Sequence, residues 1–143
     1  MSRRALAIYI WFTAAYELGI LAWFQLREGG PPPVLLDPRG SLEWILASTL
    51  SPHYVLVSVI SAAWLVVAGF SVISSRRMLW VYGIVESSLA VPTVLLLVAV
   101  VLMGSGHIKF SAGDVVLSGM VFSLFSLVPI LLAFRLAVKE PSA

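Results

Sequence analysis

Two acidic residues, Glu17 and Glu86, stand inside long apolar runs of the sequence. If the runs are helices, Glu17 lies roughly 18 Å and Glu86 about 10 Å from the same end of the two segments. A carboxylate facing lipid at such a depth would cost several kcal/mol. Each acid is therefore expected to face other helices, a partner or water, or to be protonated, and such acids can bind a cation or carry a proton.

Hydroxyl-bearing residues share a helix face with each acid. They are Tyr9, Thr13 and Tyr16 beside Glu17, and Tyr82 and Thr93 beside Glu86. A polar stripe along an otherwise apolar helix can line a hydrated cavity, so these seven residues are the predicted ligand- or proton-binding site. Alternatively, each Glu is a neutral packing residue that hydrogen-bonds to hydroxyls of neighbouring helices, a contact worth about 0.6 to 2 kcal/mol in membranes.

The elements that carry these residues are predicted to be transmembrane helices. Of the 143 residues, 60% are hydrophobic and 11% are charged, whereas soluble domains have about 25% charged residues. Four apolar runs reach the length of about 20 residues that a span requires, namely 5–26, 54–73, 79–103 and 115–138. The predicted fold is all-α: residues 1–143 form one domain of a polytopic integral membrane protein, a four-transmembrane-helix bundle.

Basic residues flank the four runs unevenly. One side would carry Arg3, Arg4, Arg76, Arg77, Arg135 and Lys139, and the other Arg27, Arg39 and Lys109. Because positive charge favours the cytoplasmic side, both termini are predicted to be cytoplasmic in the cell membrane. The short turn 74–78 then makes the second and third helices antiparallel neighbours.

The connections and packing faces can also be read from the sequence. In the external loop 27–53, three successive prolines precede a predicted short interfacial helix at 41–50, and loop 104–113 is glycine-rich. Small residues predict close helix packing along two faces. These faces are Ser58, Ala62, Leu65 and Gly69 in the second helix, and Gly119, Ser123 and Ser126 in the fourth. Pro92 and Pro129 leave the carbonyls of Ser88 and Phe125 without their helical donors.

Several kinds of chemistry find no support. The chain has no cysteine, and His53 and His107 come without further ligands at metal- or haem-binding spacing, so neither a metal site nor a cofactor is predicted. Glycine-rich phosphate loops, paired histidines and serine elbows are absent from the sequence, and an enzyme is the less favoured reading. The net charge of +2 is explained better by basic residues that orient the helices in the membrane than by binding of nucleic acid. Trp11 and Trp64 lie deep in their runs and are predicted to pack or to line a cavity.

Glu17, an acid in the middle of the first of four helices, resembles the acid of the small multidrug resistance transporters. In that family such a residue alternates between a proton and a cationic substrate. The resemblance covers this position and the number of helices. The long external loop and the second acid, Glu86, depart from the family pattern.

Three functions remain open from the sequence. The leading hypothesis is a protein that binds or translocates a small cationic or lipophilic molecule, with possible proton coupling, through a cavity lined by Glu17 and Glu86. A homo-oligomer is then expected, because four helices enclose little space. The second hypothesis is an accessory subunit of a larger membrane complex. The third is an intramembrane lipid-modifying enzyme that uses the Glu pair as acid and base.

Overall fold

The computed structural model describes residues 2–27, 54–103 and 112–139. They form helices α1 (Arg3–Arg27), α2 (Tyr54–Ser74), α3 (Arg76–Met103), α4 (Ala112–Phe122) and α5 (Val128–Lys139), with a π-helical turn (Ser123–Leu127) between the last two. The segment made of α4, the π-helical turn and α5 is called helix 4 below. These described ranges contain no strand, so the all-helical prediction is confirmed.

The connection between α2 and α3 is shorter than predicted. Ser75 alone separates the two helices, so the predicted turn at 74–78 is wrong in extent. The Ser75 hydroxyl accepts a hydrogen bond from the backbone N–H of Arg77 at 3.2 Å. This capping lets both arginines enter the first turn of α3. The predicted interfacial helix at 41–50, His53 and His107 lie outside the described residues.

Among the described residues, three helical segments are long and apolar enough to cross a membrane: Arg3–Trp23, Arg76–Leu95 and Gly119–Lys139. A shorter apolar segment, Ser58–Ser74, accompanies them. Large apolar side chains also cover the outside of the bundle, among them Phe70, Leu131 and Val138, which are 61%, 65% and 69% exposed. Helices that are apolar on their outer as well as their inner faces are compatible with a membrane protein.

The helices pack as a ring of four. Helix α1 packs most extensively against α2, and α3 packs against α5. The ring is closed by contacts of α2 with α3 and of α1 with α5. Helices α1 and α3, which carry the two acids, therefore lie diagonally opposite each other.

Two arginines join the helix ends at one end of the bundle, which we call the basic end. An Nη1 donor of Arg3 lies 3.4 Å from the carbonyl oxygen of Ile73, at the end of α2. The Nε of Arg76 donates to the carbonyl oxygen of Ala137, near the end of α5, at 2.8 Å. Guanidinium groups are well suited to the last carbonyls of a helix, which lack helical donors and carry the negative end of the dipole.

The predicted small-residue face of α2 is buried. Ser58, Ala62 and Leu65 are at most 2% exposed, and Gly69 is also buried. The partner at Gly69 is a side chain of α1, because the Trp11 indole lies over this glycine. The small-residue face of α2 thus packs against an aromatic ring of α1.

The predicted small-residue face of helix 4 is wrong in part. Gly119 and Ser123 are exposed, and only Ser126 is buried. The π-helical turn is the reason. It contains about one residue more than an α-helical turn, so the residues before it are rotated relative to those after it.

The π-helical turn also leaves one backbone carbonyl without a hydrogen-bond donor from its own helix. Another helix supplies that donor. The N–H of Val128 donates to the carbonyl of Ser123 instead of that of Leu124. The next residue, Pro129, has no N–H to offer. The hydroxyl of Tyr9 in α1 donates to the Leu124 carbonyl at 2.6 Å. A tyrosine of α1 therefore supplies the donor that helix 4 lacks.

We expect Tyr9→Phe to lower the free energy of unfolding by about 0.5 to 1.5 kcal/mol, the range of hydrogen bonds inside membranes. The substitution removes only the hydroxyl that serves Leu124. Pro129→Ala restores a backbone N–H near the same carbonyl, so the cost of Tyr9→Phe should fall towards zero in that background. The free energy of unfolding in mixed detergent micelles is measured for the wild type, the two single variants and the double variant. An equal cost in both backgrounds would contradict the assigned role of Tyr9.

Candidate functional site

Both acids singled out from the sequence are buried. Glu17 of α1 is 2% exposed and Glu86 of α3 is 3% exposed. Both side-chain oxygens of Glu17 are buried as well. Because α1 and α3 lie diagonally opposite each other in the ring, the two carboxyl groups enter the bundle interior from opposite sides.

Glu86 is held by a residue that sequence reasoning assigned only to packing or to a cavity wall. The indole Nε1–H of Trp64 in α2 donates to Glu86 Oε1 at 2.9 Å. An indole is a donor only, so this contact fixes the orientation of the carboxyl group without competing for its proton. The pairing could not be read from the sequence, because it depends on the register between α2 and α3.

The two threonines of the predicted site are buried, as the acids are. Thr13 is 1% exposed and its hydroxyl donates to the carbonyl of Tyr9 at 3.1 Å. Thr93 is 3% exposed and donates to the carbonyl of Leu89 at 3.0 Å. With its proton directed to its own helix, each hydroxyl offers lone pairs to a donor or a cation.

The three tyrosines of the predicted site also make contacts that the sequence did not predict. Tyr9 and Tyr16 lie where α1 meets helix 4: the Tyr9 hydroxyl bonds to Leu124, and the Tyr16 ring stacks on Phe125 at a centroid distance of 4.1 Å. Tyr82 is 1% exposed and belongs to an apolar cluster near the basic end. The structure thus buries both acids and both threonines, and it gives each tyrosine a packing contact inside the bundle.

Sequence reasoning missed two buried hydroxyls. Ser58 of α2 is fully buried, and Ser126 of the π-helical turn is 4% exposed. Both had been assigned to small-residue packing faces. One indication of their role was present in the sequence, a hydroxyl at a helical position that was predicted to be buried. The small size of serine alone also explains its presence at such a position.

Buried polar side chains come from all four helices, within about two helical turns of depth. The set consists of Thr13, Glu17, Ser58, Glu86, Thr93 and Ser126. Counted along each helix from the basic end, these residues lie roughly 15 to 26 Å deep at 1.5 Å per residue. Apolar residues share this layer, including Ala62, Ala90 and Phe122. The six residues are called the polar layer below.

The interior between the polar layer and the basic end is apolar. Its cluster of buried residues includes Leu6, Ile10, Leu65, Val72 and Leu79, with Ala133 and Leu136 from α5. By the same rise per residue, the cluster reaches no deeper than about 16 Å. A polar or charged molecule passing through it would lose its hydration without receiving hydrogen bonds. The cluster therefore separates the polar layer from the basic end.

The six side chains of the polar layer provide only oxygen atoms as potential ligands. Among the described residues, no group of three or more His, Cys, Asp or Glu side chains could hold a metal ion. No known protein family, curated protein or solved structure matches the chain. The chemistry of the layer is thus that of two carboxyl groups and four hydroxyls inside an apolar bundle.

Proposed function

We propose that this chain is a four-span integral membrane protein whose polar layer binds a small cationic or lipophilic molecule in exchange for protons. Glu17 and Glu86 are the groups that carry the charge or the proton. The observation that supports the proposal is that both acids are buried in one layer, where all four helices contribute polar side chains. An intramembrane acid is costly and typically marks a functional site.

The donor and acceptor balance of the layer favours a cation or a molecule rich in N–H or O–H groups. An ionised carboxylate only accepts hydrogen bonds, and the hydroxyls of Thr13 and Thr93 already donate to their own helices. An anion would meet acceptors and negative charge there. A cation is compensated by an ionised Glu, and a proton takes its place when the cation leaves.

The ligand is proposed to enter from the end opposite the basic end, or from the bilayer. The apolar cluster fills the interior at the basic end, and Arg3 and Arg76 join the helix ends there. With the basic end cytoplasmic, the opposite side of the layer faces outward. Passage through the membrane would then require opening of the apolar cluster or assembly of several copies.

A lipophilic cation tests the proposal. Binding of tetraphenylphosphonium to the purified protein in lipid nanodiscs is measured by equilibrium dialysis between pH 5 and pH 9. We expect wild-type affinity to rise with pH, because protons compete for the carboxylates that pair with the cation. In Glu17→Gln the affinity should fall at least about tenfold at the high-pH end, or ~1.4 kcal/mol, and its pH dependence should weaken.

Glu86→Gln should also reduce affinity, and the exposed hydroxyl variant Ser88→Ala is the matched control on the same helix. Size-exclusion chromatography and circular dichroism show whether each variant is folded. If Glu17→Gln folds and binds the probe with wild-type affinity at every pH, the acid does not carry the ligand's charge and the proposal is wrong. Wild-type binding without pH dependence has the same consequence for proton exchange.

A further inference from the structure

A second surface combines charge with apolar side chains on the outside of the bundle. Where α3 packs against α5 near the basic end, Trp80 contacts Phe134 at a centroid distance of 5.5 Å. Gly83 allows this close approach, because a Cβ there would stand 2.8 Å from the Phe134 ring. The Arg76 contact with Ala137 joins the same two helices at their ends.

Exposed residues border this contact on both helices. They are Arg77, Trp80 and Ile84 of α3, at spacings of three and four, and Leu131, Arg135 and Val138 of α5, at spacings of four and three. These spacings place each set on one helix face. The six residues are called the α3–α5 seam below. Its arginines and Val138 lie towards the basic end, and Trp80, Ile84 and Leu131 extend away from it.

Among residues 2–27, 54–103 and 112–139, no acid lies at the basic end beside the charge of the seam. Arg77 and Arg135 are exposed, and so is Lys139, one turn beyond Arg135. The acids that the structure describes are Glu17 and Glu86, both in the polar layer, and Asp114, near the start of α4 at the other end of helix 4. Within the part of the chain that the structure describes, the seam therefore presents positive charge beside an exposed tryptophan.

We propose that the α3–α5 seam binds an anionic phospholipid. The phosphate is held by Arg77 and Arg135, and an acyl chain lies along Trp80, Ile84 and Leu131. Guanidinium groups form paired hydrogen bonds with phosphate oxygens, and tryptophan favours the depth of lipid headgroups. The proposal rests on the membrane placement given under the proposed function, and it is independent of the acids. Charge complementarity selects an anionic lipid over a zwitterionic one.

Native mass spectrometry of the detergent-solubilised protein, titrated with phosphatidylglycerol or phosphatidylcholine, tests the seam. We expect phosphatidylglycerol to bind more tightly than phosphatidylcholine. Arg77→Gln and Arg135→Gln should each weaken phosphatidylglycerol about fivefold, the effect of one basic residue near a charged lipid surface. Inorganic phosphate at the same concentration should not displace the lipid, because it lacks the acyl chains that contact the seam.

Arg4→Gln is the matched control, since it removes an exposed arginine from the basic end but from α1, outside the seam. It should change phosphatidylglycerol affinity less than twofold. Equal losses in all three variants would overturn the proposal, because they would indicate a general effect of charge. Equal binding of the two lipids would also overturn it. Tetraphenylphosphonium binding measured in the same variants should be unchanged, which separates failure of the seam from failure of the acid site.

Discussion

Replacing Gly69 with alanine is expected to lower the free energy of unfolding by about 2 to 4 kcal/mol, the combined cost of overpacking and a lost hydrogen bond. A Cβ at this position would lie 2.6 Å from Cδ1 and 2.8 Å from Cε2 of the Trp11 indole. These are ring atoms of a rigid group, so the whole indole must move. The gain in helix propensity from alanine, about 1 kcal/mol, offsets only part of the cost.

Movement of the indole breaks two further contacts. Trp11 Nε1 donates to the carbonyl of Val66 at 3.2 Å, and the ring packs against Phe70 at a centroid distance of 4.7 Å. Both contacts hold α1 to α2, the most extensively packed helix pair. The substitution therefore acts on the most extensively packed interface of the described helices.

Gly19→Ala provides the control for Gly69→Ala. Gly19 lies in α1, and a Cβ added there meets no atom within 4 Å. The same substitution should thus be neutral or stabilising by up to about 1 kcal/mol. Thermal unfolding in mild detergent, followed by far-ultraviolet circular dichroism, compares the two variants. Equal stabilities would show that the indole does not occupy the position over Gly69.

Arg76→Gln is expected to destabilise the protein by about 1.5 to 3 kcal/mol, the range for a hydrogen bond to a charged group. The guanidinium of Arg76 donates to the carbonyl of Ala137 at 2.8 Å and is partly buried. That carbonyl is in the last turn of α5, where helical donors are lacking. Glutamine is shorter and uncharged, so it neither reaches the carbonyl in the same way nor opposes the helix dipole.

The neighbouring Arg77 supplies an internal comparison for Arg76. It is exposed, and Arg77→Gln should change stability by no more than about 0.5 kcal/mol, as for ordinary surface substitutions. Unfolding in mixed micelles at low and high salt measures both variants. If the two losses are equal, the contact with Ala137 does not hold the end of α5. The two variants also separate the roles of the two arginines, because Arg76 holds the end of α5 and Arg77 is proposed to bind lipid.

The sequence predicted the helical segments and the inward direction of both acids well. Each rests on a local property: the length of an apolar run, and the cost of a carboxylate in hydrocarbon. The buried face of α2 was predicted for the same reason, because residues three and four apart share a face of one helix. The role of the acids in binding stays a prediction.

The features that the sequence did not predict have a different cause. The face of helix 4 was predicted with α-helical spacing throughout, and the π-helical turn at Ser123–Leu127 rotates Gly119 and Ser123 out of the interior. The periodicity that placed Tyr9 and Tyr16 on the face of Glu17 did not predict their contacts with helix 4. In both cases the side chain's neighbour depends on a second helix.

By itself, the sequence determined which segments are helical and which side chains cannot face hydrocarbon, because both follow from the rise and period of a single helix. Only the tertiary structure decided that Trp64 holds Glu86, that Trp11 lies over Gly69, and that Arg76 reaches Ala137. These pairings require the rotation and axial offset of one helix against another. That register is set by the packing of all four helices together, and no single apolar run encodes it.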